Sequence, residues 1–307
     1  MSVDKIISSY KAGKTAQSWI IVGPEGIGKH KMVDEIAKAL LGEKVANLSA
    51  ALKVIECGLT EEAKKAVQKA ILDGQTPDED DLQKKKSEIT VEDIRSGIDF
   101  LALKTALPCR ILVISLADNM NEKAQNTLLK TLEEPYDKSL ILLLSENVDR
   151  LLPTICSRCQ KMFLPALSIE ALTKKIQKEY PSVLEAQKIA EISEGIPGVA
   201  QKILETDGLE LYDSFLSLLC PVSKVSVESV LSFSEEVAKN PVQLDLVRLY
   251  MLRFVADMAK KTSVISGYDW SLFYIQLQNE WHKMDRLYLD KAQVLAEMIF
   301  SIERHLK

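Results

Sequence analysis

The residues with the clearest chemical purpose are Gly23-Pro24-Glu25-Gly26-Ile27-Gly28-Lys29-His30. Their G-x-x-x-x-G-K spacing lets backbone N–H groups and the start of a helix cradle phosphates, with the lysine reaching the terminal ones. Gly23, Gly26 and Gly28 permit that close approach, and Lys29 supplies the charge. The next position, where a Ser or Thr hydroxyl would hold Mg²⁺, is His30, and imidazole is a poor ligand for a hard, oxygen-seeking ion. A strand–turn–helix that keeps its glycines only for tight geometry would carry the same string. The loop is expected to hold ATP or phosphate weakly at most.

Phosphoryl transfer also needs an apolar strand ending in two acidic residues, one for the metal and one to activate water. Here that strand is Arg110-Ile111-Leu112-Val113-Ile114, and the two positions after it are Ser115 and Leu116. With His30, three positions have lost the groups that clamp metal and polarise the nucleophile. Autonomous ATP hydrolysis is not expected. Asp118 lies further along, where capping the following segment is the simpler role.

These residues must be carried by a sheet. Short, β-branched apolar runs at Ser18–Val22, Leu52–Ile55, Arg110–Ile114, Leu140–Leu144 and Lys161–Leu164 alternate with amphipathic segments at Lys29–Leu41, Val91–Ala102 and Glu122–Glu134. That alternation predicts five parallel strands joined by crossover helices. Thr90 with Asp93 three residues on is a capping-box variant at the start of the second helix. Residues 56–90 break the pattern as a polar insertion, with one helix before Gly74 and a charged loop in which Asp78-Glu79-Asp80-Asp81 offsets Lys84-Lys85-Lys86. After Pro165 every segment favours helix, broken at Pro181, Pro197, Pro221 and Pro241. The fold class is α/β followed by all-α, in three parts: 1–165, a small helical 166–207 and a larger helical 208–307.

The whole chain of 307 residues is 47% hydrophobic and 27% charged, enough to build a core and to exclude wholesale disorder. Its longest apolar run, around Leu140–Leu144, is far short of the ~20 residues that cross a bilayer, so no membrane association and a cytoplasmic location are expected. A net charge of −5 argues against bulk electrostatic binding of nucleic acid. The five cysteines, Cys57, Cys109, Cys156, Cys159 and Cys220, have no framework spacing and fit a reducing compartment. Cys156 and Cys159 have the C-x-x-C spacing of a ligand pair but no second pair nearby, and the three histidines offer little more, so no metal is expected. Trp270, Trp281, Tyr268 and Tyr274 are read as core of the C-terminal helices.

Asn121–Pro135, NEKAQNTLLKTLEEP, followed by Leu151–Cys159, LLPTICSRC, resembles the AAA+ family of bacterial DNA polymerase III clamp-loader subunits. The likeness runs from the glycine loop to Gly195-Ile196-Pro197-Gly198-Val199-Ala200 and fades in the C-terminal helices. It implies an AAA+ P-loop domain, a helical lid and a helical collar, assembled in a ring of five with motor (gamma/tau-type) and delta subunits that loads a sliding clamp on primed DNA during replication. It implies for Arg158, within Ser157-Arg158-Cys159, a catalytic role in trans, as an arginine finger at the ATP site of a neighbouring motor. A guanidinium delivered there neutralises charge developing on the γ-phosphoryl group, worth about 10³–10⁵ in rate. It implies for Ser145 the polar sensor position, and Val199 replaces the lid arginine of the motors. The expectation is a non-hydrolysing subunit, not an enzyme by itself; the rivals are an ATP-hydrolysing motor of the same fold and a P-loop nucleotide phosphotransferase. Glu133 and Glu134 sit at a helix end that disfavours anions, which suggests a contact with a partner.

Overall fold

The computed structural model describes residues 2–11, 17–42, 50–57, 88–103, 107–219, 226–262, 264–287 and 289–306. The helix and charged loop expected within 58–87, and Cys220, lie outside the described residues. The chain divides into two compact units, Met1–Ala166 and Leu167–Lys307.

In the first unit, strands β1 Ser18–Val22, β2 Leu52–Ile55, β3 Arg110–Ile114, β4 Ser139–Ser145 and β5 Gln160–Phe163 form one sheet. Its order is β2-β3-β4-β1-β5 and every neighbouring pair is parallel. Ile20, Leu112, Ile114, Ile141 and Leu143 line one face, while Trp19, Ile21, Ile111, Val113, Leu142 and Leu144 line the other. Both faces are covered, so the central strands are apolar throughout rather than alternating with polar residues. Helices α1 Ser2–Lys11 and α2 Lys29–Leu41 cover the Trp19 face through Ile6, Met32, Val33 and Ile36. Helices α3 Val91–Ala102 and α4 Glu122–Glu133 cover the Ile20 face through Ile94, Leu101, Ala124, Leu128 and Leu132.

Strand ends differ from expectation by a single residue at β4 and β5, and α4 stops at Glu133 because Glu134 (φ −126°) leaves the helical region. Helix α1 was not expected, although Val3, Ile6 and Tyr10 carry its apolar face. At the start of α3 the Asp93 carboxylate accepts the Thr90 N–H (2.9 Å), as the capping pattern predicts, and also the Thr90 hydroxyl (2.7 Å). From β1 the chain crosses to the β2 edge, and from β4 it crosses to β5 on the far side of β1. The carboxyl ends of β1 and β4 therefore flank the topological switch point, where open parallel sheets place their binding crevice.

The second unit is helical: α6 Ile169–Glu179, α7 Ala186–Ile192, α8 Pro197–Glu205, α9 Gly208–Leu219, α10 Val227–Ala238, α11 Pro241–Lys261, α12 Val264–Leu287 and α13 Lys291–Leu306, counting α5 Pro153–Arg158 in the first unit. One continuous core links Leu172 and Ile189 of its first helices to Val247, Tyr250, Trp281 and Ile299 of its last. Trp270 and Trp281 are buried, as expected of core residues, but Tyr268 is 64% exposed and is not part of that core. No described helix is long and apolar enough to cross a membrane.

Candidate functional site

The glycine loop leaves β1 at the crevice. Gly23 donates its N–H to the Ser145 carbonyl (3.1 Å), and a Cβ on it would stand 2.8 Å from the Leu164 carbonyl oxygen. Gly28 enters α2 at φ +107°, a conformation that an L side chain rarely adopts. The loop has the expected form, but its cation is already engaged. The Lys29 side chain is only 7% exposed, and its Nζ donates to the Gly23 carbonyl and to the Pro24 carbonyl (3.2 Å), with Glu146 Oε1 at 3.8 Å. Burial pulls the Lys29 ammonium below the usual lysine range, against the opposing carboxylates of Glu146, Asp118 and Glu25. Burial also pushes the Glu146 carboxyl up, and Lys29 pulls it back. His30 is exposed in the first turn of α2.

The end of β3 carries no acid. Ser115 is buried at 3% exposure, and its Oγ has no hydrogen-bond partner among the described residues. Leu116 is 39% exposed and takes a left-handed conformation (φ +53°). Asp118 does not cap the segment that follows it, as was expected. Its carboxylate reaches across to the end of β4 and accepts from the Ser145 hydroxyl (2.6 Å), the Glu146 N–H (2.6 Å) and the Asn147 N–H (3.1 Å). A hydroxyl has one proton to give, so Ser145 has none left for a phosphate. The crevice thus contains a lysine, a serine and an aspartate, each tied to another part of the same chain.

Arg158 stands elsewhere in the unit, at the end of α5. Pro153 occupies the first turn of this short helix and Ile155 anchors it in the core. The neighbouring α4 braces it: Gln125, itself buried, accepts the Leu152 N–H through Oε1 (2.7 Å) and donates through Nε2 to the Arg150 carbonyl (3.3 Å). The Arg158 guanidinium donates from Nη1 to the Thr154 carbonyl (2.9 Å) and the Ser157 hydroxyl (3.4 Å), and from Nη2 it pairs with Glu133. One third of the side chain remains exposed. Glu133, expected to meet a partner chain, has an intramolecular mate that spacing alone did not signal.

Cys159 is buried, and burial together with nearby Cys156 pushes its thiol up to about 12, with Lys161 pulling the other way. It is packing rather than a nucleophile at neutral pH. Among the described residues, no group of three or more His, Cys, Asp and Glu side chains is arranged to hold a metal ion. Val199 is half-buried in α8 against the helical core.

The family described as DNA polymerase III, delta subunit, matches residues 2–168. The DNA polymerase III subunit delta' of Pseudomonas aeruginosa is 32% identical over 195 residues, which span 61% of this chain and 56% of that protein. The subunit delta' of Escherichia coli is 23% identical over 265 residues, 84% of this chain and 74% of that one. Among solved structures, a DNA polymerase III gamma subunit-related protein of Thermotoga maritima aligns over 99% of both chains with a TM-score of 0.53 and 17% identity, a likeness of fold.

Proposed function

Because the chain belongs to the DNA polymerase III, delta subunit family, we propose that it acts as a non-hydrolysing, delta-prime-like subunit of a clamp loader. It donates Arg158 in trans to the ATP site of a neighbouring motor subunit of the gamma or tau kind. The supporting observation is the contrast between an Arg158 side chain that stays one third exposed on a braced helix and a crevice whose Lys29 and Ser145 are consumed internally. With Ser115 and Leu116 in place of the acidic pair, nothing at the end of β3 would clamp Mg²⁺ or activate water. In this reading the motor holds nucleotide and metal, and this chain supplies one charge at the γ-phosphate when the ring closes around a sliding clamp on primed DNA. Its own loop holds ATP or phosphate weakly at most, and the second unit contributes the lid and collar that keep it in the ring.

The test is ATP binding and turnover by the purified chain alone, then mixed with a motor subunit, clamp and primed DNA. The expected result is a chain silent by itself that raises the motor's turnover. Mg²⁺-dependent hydrolysis by the chain alone would overturn the reading and make it a motor.

A further inference from the structure

Glu133 is the last residue of α4, where the exposed helix carbonyls repel an anion. The salt bridge it makes is exposed on both sides, at 33% for Arg158 and 48% for Glu133, and pairs of that kind add little to stability. Its geometry, by contrast, is specific. Arg158 has five N–H donors on a flexible stem, and the Thr154 carbonyl, the Ser157 hydroxyl and Glu133 together fix the plane of the guanidinium.

The two anchors cannot drift apart. Asn121 caps α4 by accepting the Ala124 N–H (2.9 Å), and Leu128, Thr131 and Leu132 bury its inner face. Gln125 on the same helix holds the start of α5 at Leu152. Helix α4 therefore grips α5 at both ends, by Gln125 at its entrance and by Glu133 at its last side chain. A guanidinium held this way meets an incoming phosphate with most of its rotational freedom already removed, which is the condition for transition-state stabilisation without reorganisation.

Resting on the trans role of Arg158 proposed above, we infer that Glu133 is the positioning residue for that arginine: it orients the guanidinium toward the γ-phosphate of a nucleotide bound by the neighbouring subunit, and stays paired with it during the reaction. The opposite arrangement, in which the carboxylate competes with the phosphate and must be displaced, makes the reverse prediction for the same variant.

The experiment uses the full chain, reconstituted with a motor subunit, clamp, primed DNA and ATP. Glu133→Ala is expected to lower the motor's kcat by about 10–10²-fold, the range in which small misplacements act, with KM for ATP and the affinity of assembly unchanged. Glu133→Gln keeps an acceptor oxygen and should recover most of the loss. In an Arg158→Ala background, Glu133→Ala should cost nothing further, since it acts only through the arginine. A rise in turnover with Glu133→Ala would overturn the inference in favour of competition. Unchanged turnover, in a system where Arg158→Ala is damaging, would overturn it while leaving the trans role intact. If Arg158→Ala itself has no effect, both fall together. Circular dichroism and the assembly constant of each variant separate these outcomes from a chain that has failed to fold.

Discussion

The glycine loop and the Ser157-Arg158-Cys159 corner lie in the same α/β unit, and each presents one cation surrounded by carbonyl and carboxylate oxygens. At the loop, Lys29 is 7% exposed and its partners are the loop's own carbonyls and Glu146. At the corner, Arg158 keeps a third of its surface open and its partners hold it from one side. The first arrangement completes itself, and the second leaves donors for something that arrives. One fold thus carries two cations in similar surroundings, and the local hydrogen-bond partners decide which keeps donors open to solvent.

This contrast can be broken most directly at the corner. Arg158→Ala should lower the turnover of a reconstituted motor by about 10³-fold or more, while the chain's own stability moves by less than about 0.5 kcal/mol. Steady-state ATPase and thermal unfolding read the two quantities, and full activity in the variant would erase the distinction between the sites. The crevice should respond in the opposite way. Asp118→Ala leaves the fully buried Ser145 hydroxyl and two backbone N–H groups without their acceptor, and should cost about 3 kcal/mol of stability. Urea unfolding followed by exchange of sheet amides measures it.

Smaller changes sharpen the comparison. Lys29→Met removes a desolvated charge and keeps the stem, so it should change stability by less than about 1.5 kcal/mol and leave the motor's turnover as it was. Loss of turnover in the mixture would mean the loop is a working nucleotide site. The smallest effect is expected from Glu146→Gln, below about 1 kcal/mol, because its carboxylate is 41% exposed and stands 3.8 Å from the Lys29 ammonium. Burial raises the folded carboxyl above its unfolded value, so the fold binds that proton more tightly than the unfolded chain does. Its contribution is present in acid and is lost as pH rises through the folded value. The variant should lack that decline, which a series of unfolding curves across the carboxylate range would show.

Much of this was written in residue types. The apolar strands, the glycine spacing and the missing acids at Ser115 and Leu116 all follow from patterns within a few positions of each other. The partners of the polar side chains did not. Asp118 looks like a cap for its own segment, yet it reaches Ser145 and Glu146, because a parallel sheet brings the ends of β3 and β4 together although Asp118 and Ser145 are 27 positions apart in the chain. Glu133 likewise meets Arg158 only because α4 and α5 pack side by side. Periodicity finds the elements, whereas contacts between their ends depend on register and packing, which no local pattern encodes. Helix α1 escaped for another reason: its apolar positions Val3, Ile6 and Tyr10 are few and lie in a short polar segment.

The strand order also governs how this chain comes off the ribosome. Strand β1, near the start, pairs only with β4 and β5, so its hydrogen-bonded neighbours begin at Ser139 and Gln160. At about 5–20 residues per second of synthesis, Trp19, Ile20 and Ile21 wait several seconds or more without a sheet to join. A nascent chain stalled before Ser139 therefore displays a bare apolar strand, and the interval before β4 emerges is when chaperone capture or aggregation competes with folding.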